Sequence, residues 1–472
     1  MKLNNKITVA LIGLGLVSAA QAVEISDADF AALKKQLTEL DQKVRILERE
    51  REIDGEAAVA KLATTPKLTI GANGASFGSA DTNFVIQLHG VVQLDSRTFF
   101  SDGNVNGNDG FLLRRARPII SGTLFRDFDF NFTPDFGGST VQIQDAWLNY
   151  RFSPWLQVQG GKFKSPVGLE HLQSDILKSF NENSLVTDLV PNRDLGIQLK
   201  GDIDVFKGVV SYGAGIFNGA SDFNGTSANA SAGDDRAFAG RLFIQPWKNS
   251  DVNALRGLGF GVGGSYLVNN PATNSATGLT PGYTTDGQQR FFAFNSGVNA
   301  KGEGWRISPQ AYYYYGPFGL LAEYVISDQV DKRTATLATP EIDLHNSAWG
   351  ISGSWVLTGE DASYAGITPR HPFDPRSGQW GAWQLVARYA ELDVDDAAFV
   401  GASNVRLADP TKSASSAQAW SVGLNWYLNK NLRANLSYSR TTFSGFGKTQ
   451  FAPGTVPYQP ENILFSRLQL AF

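Results

Sequence analysis

Seven basic residues share one setting. Arg97, Lys200, Arg241, Arg306, Arg388, Arg433 and Arg467 each occupy a polar position in a stretch where every second residue is apolar. Successive side chains of a strand point to opposite faces, so strands of this pattern gather such cations on one surface. Guanidinium and ammonium groups along a wet surface make charge-assisted hydrogen bonds to anions and bias which ions enter. Acids of the same parity are fewer, chiefly Asp95 and Glu323. The same arginines have a second use open to them, pairing with carboxylates of in-folded connections so that they brace a wall.

Other chemistry finds little to work with. The chain has no Cys, which excludes a thiolate metal site and a Cys nucleophile. Its four histidines, His89, His171, His345 and His371, are scattered and form no HExxH. His89 and Asp95 share a parity but stand six residues apart, about 20 Å at strand rise, too far to pair. No nucleophile elbow and no GxxxxGK[ST] loop is present. The expectation is no enzyme, no catalytic residue, no metal and no cofactor.

The elements that position the cations are strands. Trp420, Val422, Leu424, Trp426 and Leu428 alternate with Ser421, Gly423 and Asn425. Leu432, Ala434, Leu436 and Tyr438 alternate with Arg433, Asn435 and Ser437, and only Asn429-Lys430 separates the two runs, a tight hairpin connection. Similar alternation appears at 84–97, 194–200, 237–247, 304–312, 381–391 and up to the terminal Phe472. Many runs are long enough to cross a membrane when tilted, and aromatics cluster near their ends, at Tyr150, Phe152, Trp305, Tyr312 to Tyr315, Trp383, Trp420 and Trp426. A soluble secreted sandwich would use shorter strands. The fold class is therefore all-β, a transmembrane antiparallel β-barrel of about 16 strands, wide enough for a water-filled lumen.

Composition agrees. Of 472 residues 42% are hydrophobic and 49 are Gly, too apolar for a disordered chain. Mean hydropathy is −0.18, and no apolar stretch after residue 22 is long enough for a membrane helix. Residues 1–22 read as a signal peptide: Lys2 and Lys6, an apolar run from Ile7 to Val17, then Ala20 and Ala22 at the cleavage site. Removing Lys2 and Lys6 with it leaves 39 basic against 45 acidic residues, no footprint for nucleic acid. Residues 23–54 carry Phe30, Leu33, Leu37, Leu40, Val44 and Leu47 at 3-4-3-4-3 spacing, the seam of a coiled-coil helix or of an amphipathic helix lying on its own domain. Residues 55–82 read as a linker and 83–472 as the barrel. The long connections, at about 164–192, 218–235, 268–303, 394–415 and 443–460, belong to one end and short turns such as Gly316-Pro317 to the other; Thr358 to Gly378 is long where a short turn is expected.

Several blocks in order then resemble a known family. Leu112-Leu113-Arg114-Arg115-Ala116-Arg117, Gly161 to Glu170, Pro191 to Gly196 and Gly381 to Tyr389 look like the phosphate-selective porin O and P family, from about residue 83 to 472. The resemblance implies a homotrimeric channel in the outer membrane of a Gram-negative bacterium, surrounded by lipid and lipopolysaccharide, with the third long connection, about 164–192, folded inward as the constriction. By motif it assigns Arg114 and Arg115 to the pore and leaves Lys164 and Lys178 as cations of that connection. His171 stands where a phosphate-selective member would offer Lys, and Asn183 where Arg is expected. The alternating arginines of the fifth connection are replaced by Arg290-Phe291-Phe292-Ala293-Phe294, so one rung, Arg290, survives.

The expected function is passive diffusion of small solutes, anions preferred, phosphate or related oxyanions among them. Arg114, Arg115, Lys164, Lys178 and Arg290 are the candidate anion sites, with Arg241, Arg306, Arg388, Arg433 and Arg467 as a supporting field. The phenylalanines of the fifth connection either offer an apolar surface to an organic solute or pack against the barrel mouth. An alternative is a plugged or adhesive barrel with no open channel.

Overall fold

The computed structural model describes residues 26–100, 107–138, 140–220, 222, 236–269, 282–333, 339–445 and 459–472. Residues 1–22, expected to be a signal peptide, lie outside the described residues. The chain divides into two compact units, up to Thr65 and from Pro66 onward.

The first unit is one helix, α1 (Asp27–Thr64). Ser26 caps it, its hydroxyl oxygen accepting from the Asp29 amide at 3.3 Å, with Asp27 and Asp29 in the first turn where the helix dipole favours acids. It runs ten residues beyond Asp54, through Gly55. The stretch expected to be a linker, 55–82, thus holds the end of this helix and then a hairpin, β1 (Lys67–Gly71) and β2 (Gly74–Gly78). A single interior glycine costs a helix only about 1 kcal/mol, which the surrounding Glu and Ala formers offset.

The second unit closes sixteen antiparallel strands into a ring. In chain order they are β3 (Val85–Phe99), β4 (Gly110–Leu124), β5 (Phe128–Asp135), β6 (Gln142–Ser153), β7 (Leu156–Lys164), β8 (Arg193–Val205), β9 (Gly208–Phe217) and β10 (Arg236–Gln245). They continue with β11 (Leu258–Asn269), β12 (Val298–Tyr315), β13 (Phe318–Arg333), β14 (Glu341–Val356), β15 (Ala382–Asp393), β16 (Ser416–Tyr427), β17 (Leu432–Ser444) and β18 (Glu461–Ala471). Each pairs with its neighbour in sequence, and β18 returns to β3, with Arg467 opposite Asp95 and Phe465 opposite Arg97. Beyond the end of β18 the hairpin strand β2 takes over the same edge of β3, from Gly78 opposite Val85 to Ala75 opposite Leu88.

Parity follows the expectation. Trp420, Val422, Leu436, Leu468 and Leu470 are exposed on the outside of the ring, whereas Ser421, Asn425, Arg433, Asn435 and Arg467 are buried inside it. An exposed apolar band around a polar interior is the inverse of a soluble barrel and suits lipid on the outside. Aromatic pairs mark the short-turn end, among them Trp383 stacked on Trp426 at 5.1 Å, Phe318 on Trp355 at 5.9 Å and Tyr150 against Phe152 at 4.5 Å. Tyr312 and Tyr314 depart from that girdle: they point inward, and Tyr312 stacks on Tyr364 at 5.3 Å.

Candidate functional site

The connection 165–192 between β7 and β8 runs through the interior of the ring. On one side Glu323 of β13 accepts from the Leu169 and Glu170 amides, both at 2.9 Å, and Gln310 of β12 donates to the Val167 carbonyl at 2.8 Å. On another side Arg433, Asn425, Arg467 and Gln469 donate to the carbonyls of Lys178, Ser179, Asn181 and Ile176 at 2.8, 2.9, 2.7 and 3.1 Å. Only a segment inside the barrel can touch both walls. An irregular buried backbone must find partners for its amides and carbonyls, and the inward polar parity of the strands supplies them.

Two acids of this connection collect the cations. Asp175 lies 2.6 Å from Arg117 Nη1, 3.2 Å from Lys178 Nζ, 3.3 Å from Arg115 Nε and 3.9 Å from Lys164 Nζ. Glu182 accepts from Arg114 Nε at 2.7 Å and Nη2 at 3.0 Å, with Arg97 and Arg467 each at 3.3 Å. Burial alone would raise both carboxyls. The surrounding positive charges outweigh it and hold both below the usual carboxylate range, Arg115, Lys164, Lys178 and Arg117 for Asp175, and chiefly Arg114 for Glu182. Asp95 takes Arg467 at 2.6 and 2.7 Å, and Asp135 takes Arg117 at 2.7 Å. Seven cations therefore meet four carboxylates, a local surplus of positive charge.

A bulge makes the arginine pair possible. Adjacent strand residues face opposite ways, yet both Arg114 and Arg115 reach the interior. The ladder of β3 and β4 steps from Gln93 opposite Arg115 to Leu94 opposite Leu113, leaving Arg114 as the extra residue. A second bulge leaves Gln144 unpaired between Ile143 and Asp145, at the point where the alternation in sequence slips. It turns Gln144 toward the cavities while Asp145 pairs with Arg193 at 3.2 Å.

Two cavities adjoin this array and share Arg114, Gln142, Gln144 and Gln288 in their walls. One, of about 310 Å³, is also lined by Arg115, Arg117, Arg193 and His171 and by the acids Asp175, Glu182 and Asp188; the other, of about 330 Å³, by Arg97 and Asp135. The His171 side chain is buried and its ring nitrogens have no hydrogen-bond partner among the described residues. Burial first, then Lys164 and Lys178, hold it well below the usual imidazole value, so it faces the cavity uncharged.

The long connection 357–381, for which sequence offered no physical account, supports the same segment from the short-turn end. The Tyr364 hydroxyl donates to the Leu169 carbonyl at 2.7 Å, Gln173 donates to the Tyr364 carbonyl at 2.8 Å, and Gly366 abuts Leu177. Ala362 and Ile367 pack with Val356, Ala382 and Tyr427 in a small core of their own. From the long-connection end, residues 282–297 also turn inward. Thr285 and Gly287 donate to Glu461 at 2.8 and 3.1 Å, and the Thr284 amide donates to Asp188 at 2.9 Å.

Comparison with known proteins settles the lineage. The profile of the phosphate-selective porin O and P family matches residues 86–472. The chain belongs to that family. It is an outer-membrane porin, a channel-forming barrel. Porin O of Pseudomonas aeruginosa is 24% identical over 401 residues, 77% of this chain and 84% of that one. Among solved structures the porin is similar to the outer membrane channel DcaP of Acinetobacter baumannii, at 13% identity and a TM-score of 0.49 over 83% of this chain and 98% of that one. It is also similar to an anion-selective porin from Comamonas acidovorans, at 12% identity and a TM-score of 0.46 over 82% and 99%.

Within this porin the expected site residues do not form one group. Arg114, Arg115, Lys164, Lys178, Arg433 and Arg467 meet around the in-folded connection, and Arg388 joins them through Glu170 at 3.1 Å and Asp286 at 2.8 Å. Arg306 is taken by Asp222 at 2.6 Å, and Arg241 donates to Gln310 at 2.7 Å with its guanidinium 4.3 Å over Phe243. Lys200 lies 5.7 Å over the Trp147 ring. Arg290 is exposed, with no ion pair among the described residues. Phe291 and Phe292 are fully buried, against Phe443 and against Tyr283, Phe294 and Phe399. Of the two uses open to them, they take packing. Asp175, Asp222 and Asp286 escaped the sequence reading because they lie in irregular connections, where no parity rule assigns a direction.

Proposed function

We propose that this porin is a homotrimeric passive channel for small solutes in which anions are preferred, without strict selection of phosphate. The observation that carries the preference is the row of arginines, Arg97, Arg114, Arg115, Arg117 and Arg193, that lines the two cavities beside the in-folded connection against the acids Asp135, Asp175, Glu182 and Asp188. An ion entering there meets Arg97, Arg114, Arg115 and Arg117 close together, which lowers the energy of an anion and raises that of a cation. Most of these groups are already held by Asp175 and Glu182, so the anion is attracted by a net field more than by empty binding sites. That arrangement suits passage: a solute must bind well enough to enter and weakly enough to leave. The fifth connection, with one exposed arginine and buried phenylalanines, lacks the ladder that multi-site handoff of phosphate requires. No catalytic step is assigned, and the apolar outer band would meet lipid and lipopolysaccharide.

The test is planar-bilayer conductance of the purified porin in a chloride salt gradient, with phosphate then titrated in. The expected result is an anion-signed reversal potential with no block at low phosphate. A cation-signed potential, or no conductance, would overturn the reading; block at low phosphate would restore strict phosphate selection.

A further inference from the structure

The helix α1 presents an apolar stripe that nothing within its own unit covers. Phe30, Leu33, Leu37, Leu40, Val44 and Leu47 are each 45–69% exposed, and their 3-4-3-4-3 spacing is that of a helix-to-helix seam. With Phe30, Leu37 and Val44 at a and Leu33, Leu40 and Leu47 at d, the flanking e and g positions are Lys34, Asp41 and Glu48, and Asp29, Gln36 and Lys43.

We infer that this stripe is covered by the same stripe of the other two copies of this chain, as a parallel, in-register coiled coil. The inference rests on the trimer reading above. Three features of the chain select that partner. First, in a parallel coil each g residue faces the e residue five positions on in the neighbour, and those pairs are Asp29 with Lys34 and Lys43 with Glu48, both attractive. Gln36 with Asp41 adds no like charge. Second, the helix forms the ion pairs Arg45 with Asp41 and Arg49 with Glu52, while Lys34, Lys43 and Glu48 make no ion pair on their own helix among the described residues. Third, chains of a membrane barrel all enter the ring at one end, here through the hairpin at the start of β3. Copies related by rotation about a common axis therefore point their helices in the same direction. An antiparallel pair joining Phe30 to Leu47 would set Asp29 near Glu50 and is disfavoured.

The chain has no Cys, so single cysteines report the contact cleanly. Full-length porin carrying Leu37→Cys, in its own outer membrane, is treated with a short bismaleimide. The expected result is efficient linkage of Leu37→Cys to its counterpart, at least tenfold above Gln42→Cys on the outer face of the helix. Lys43→Glu added to Leu37→Cys should lower that yield several-fold, and Lys43→Glu with Glu48→Lys should restore it. Linkage only in a Phe30→Cys/Leu47→Cys double variant would overturn the parallel arrangement. Absence of Leu37 linkage, while amine-reactive fixation still recovers three copies, would overturn the coiled coil and leave the trimer standing. Fixation that stops at one copy, without linkage, would overturn both.

Discussion

Glu182, on the connection between β7 and β8, closes a two-pronged ion pair with Arg114 of β4, at 2.7 and 3.0 Å. Arg97 and Arg467 share the same carboxylate. Glu182→Gln would remove one negative charge from three arginines at once. The expected outcome is a reversal potential shifted further toward the anion value, with noisier single-channel current because the segment loses its anchor. An unchanged potential would mean that the channel axis lies elsewhere.

Asp175 is the sharper structural test. Its carboxylate is shared by Arg115, Arg117, Lys164 and Lys178, and breaking a buried pair by removing one partner costs about 3–5 kcal/mol. Asp175→Asn should lower resistance to denaturant by that order and widen the conductance as residues 165–192 disengage. Native stability in urea together with native conductance would show that the wall alone holds the connection.

Stability should also depend on pH through His171. Its imidazole is held well below the ordinary 6.5 by burial and by Lys164 and Lys178, so the unfolded chain binds a proton that the folded one refuses. This contribution is fully present above pH 6.5 and is lost progressively as pH falls from 6.5 toward the folded value. Glu182, ordinarily 4.5 and also lowered, adds to the decline only below about pH 4.5. Melting of the compact barrel on gels between pH 7.5 and 5.5 should show a slope in the native chain and a shallower one in His171→Gln. Equal slopes would exclude His171 as the source.

Tyr364→Phe removes one hydrogen bond to Leu169 and keeps the ring that stacks on Tyr312. A lost hydrogen bond of this kind costs about 1 kcal/mol. The expected result is more frequent current fluctuation at an unchanged reversal potential, since no charge is altered. A shifted potential would contradict a supporting role for residues 357–381.

The barrel was legible because its signal is local. Period-two alternation at 417–428 and 431–440 reappears as lipid-side and lumen-side rows, and Arg433 and Arg467 point where parity sends them. Arg114 and Arg115 needed more than parity, because a bulge lets neighbours share a face. The partners were illegible. Asp175, Asp222 and Asp286 reach the arginines through irregular backbone, and sequence distance carries no information about such pairs. The helical character of 55–64 was masked by Gly55, whose cost neighbouring residues offset.

The seam of the ring joins β3 to β18, and it is sealed beyond β18 by Phe472: Phe472 and Gly90 exchange backbone hydrogen bonds at 2.8 and 3.0 Å, with the Phe472 ring lying over the bare Gly90. The earliest strand of the barrel thus waits for the latest. Until β18 has paired with β3, two strand edges stand open to any passing chain, and the contact that closes them joins residues far apart in sequence, the slowest kind to find. A partly folded form of this protein is consequently exposed to wrong pairing for as long as that joint, which turns a sheet into a tube, is unmade.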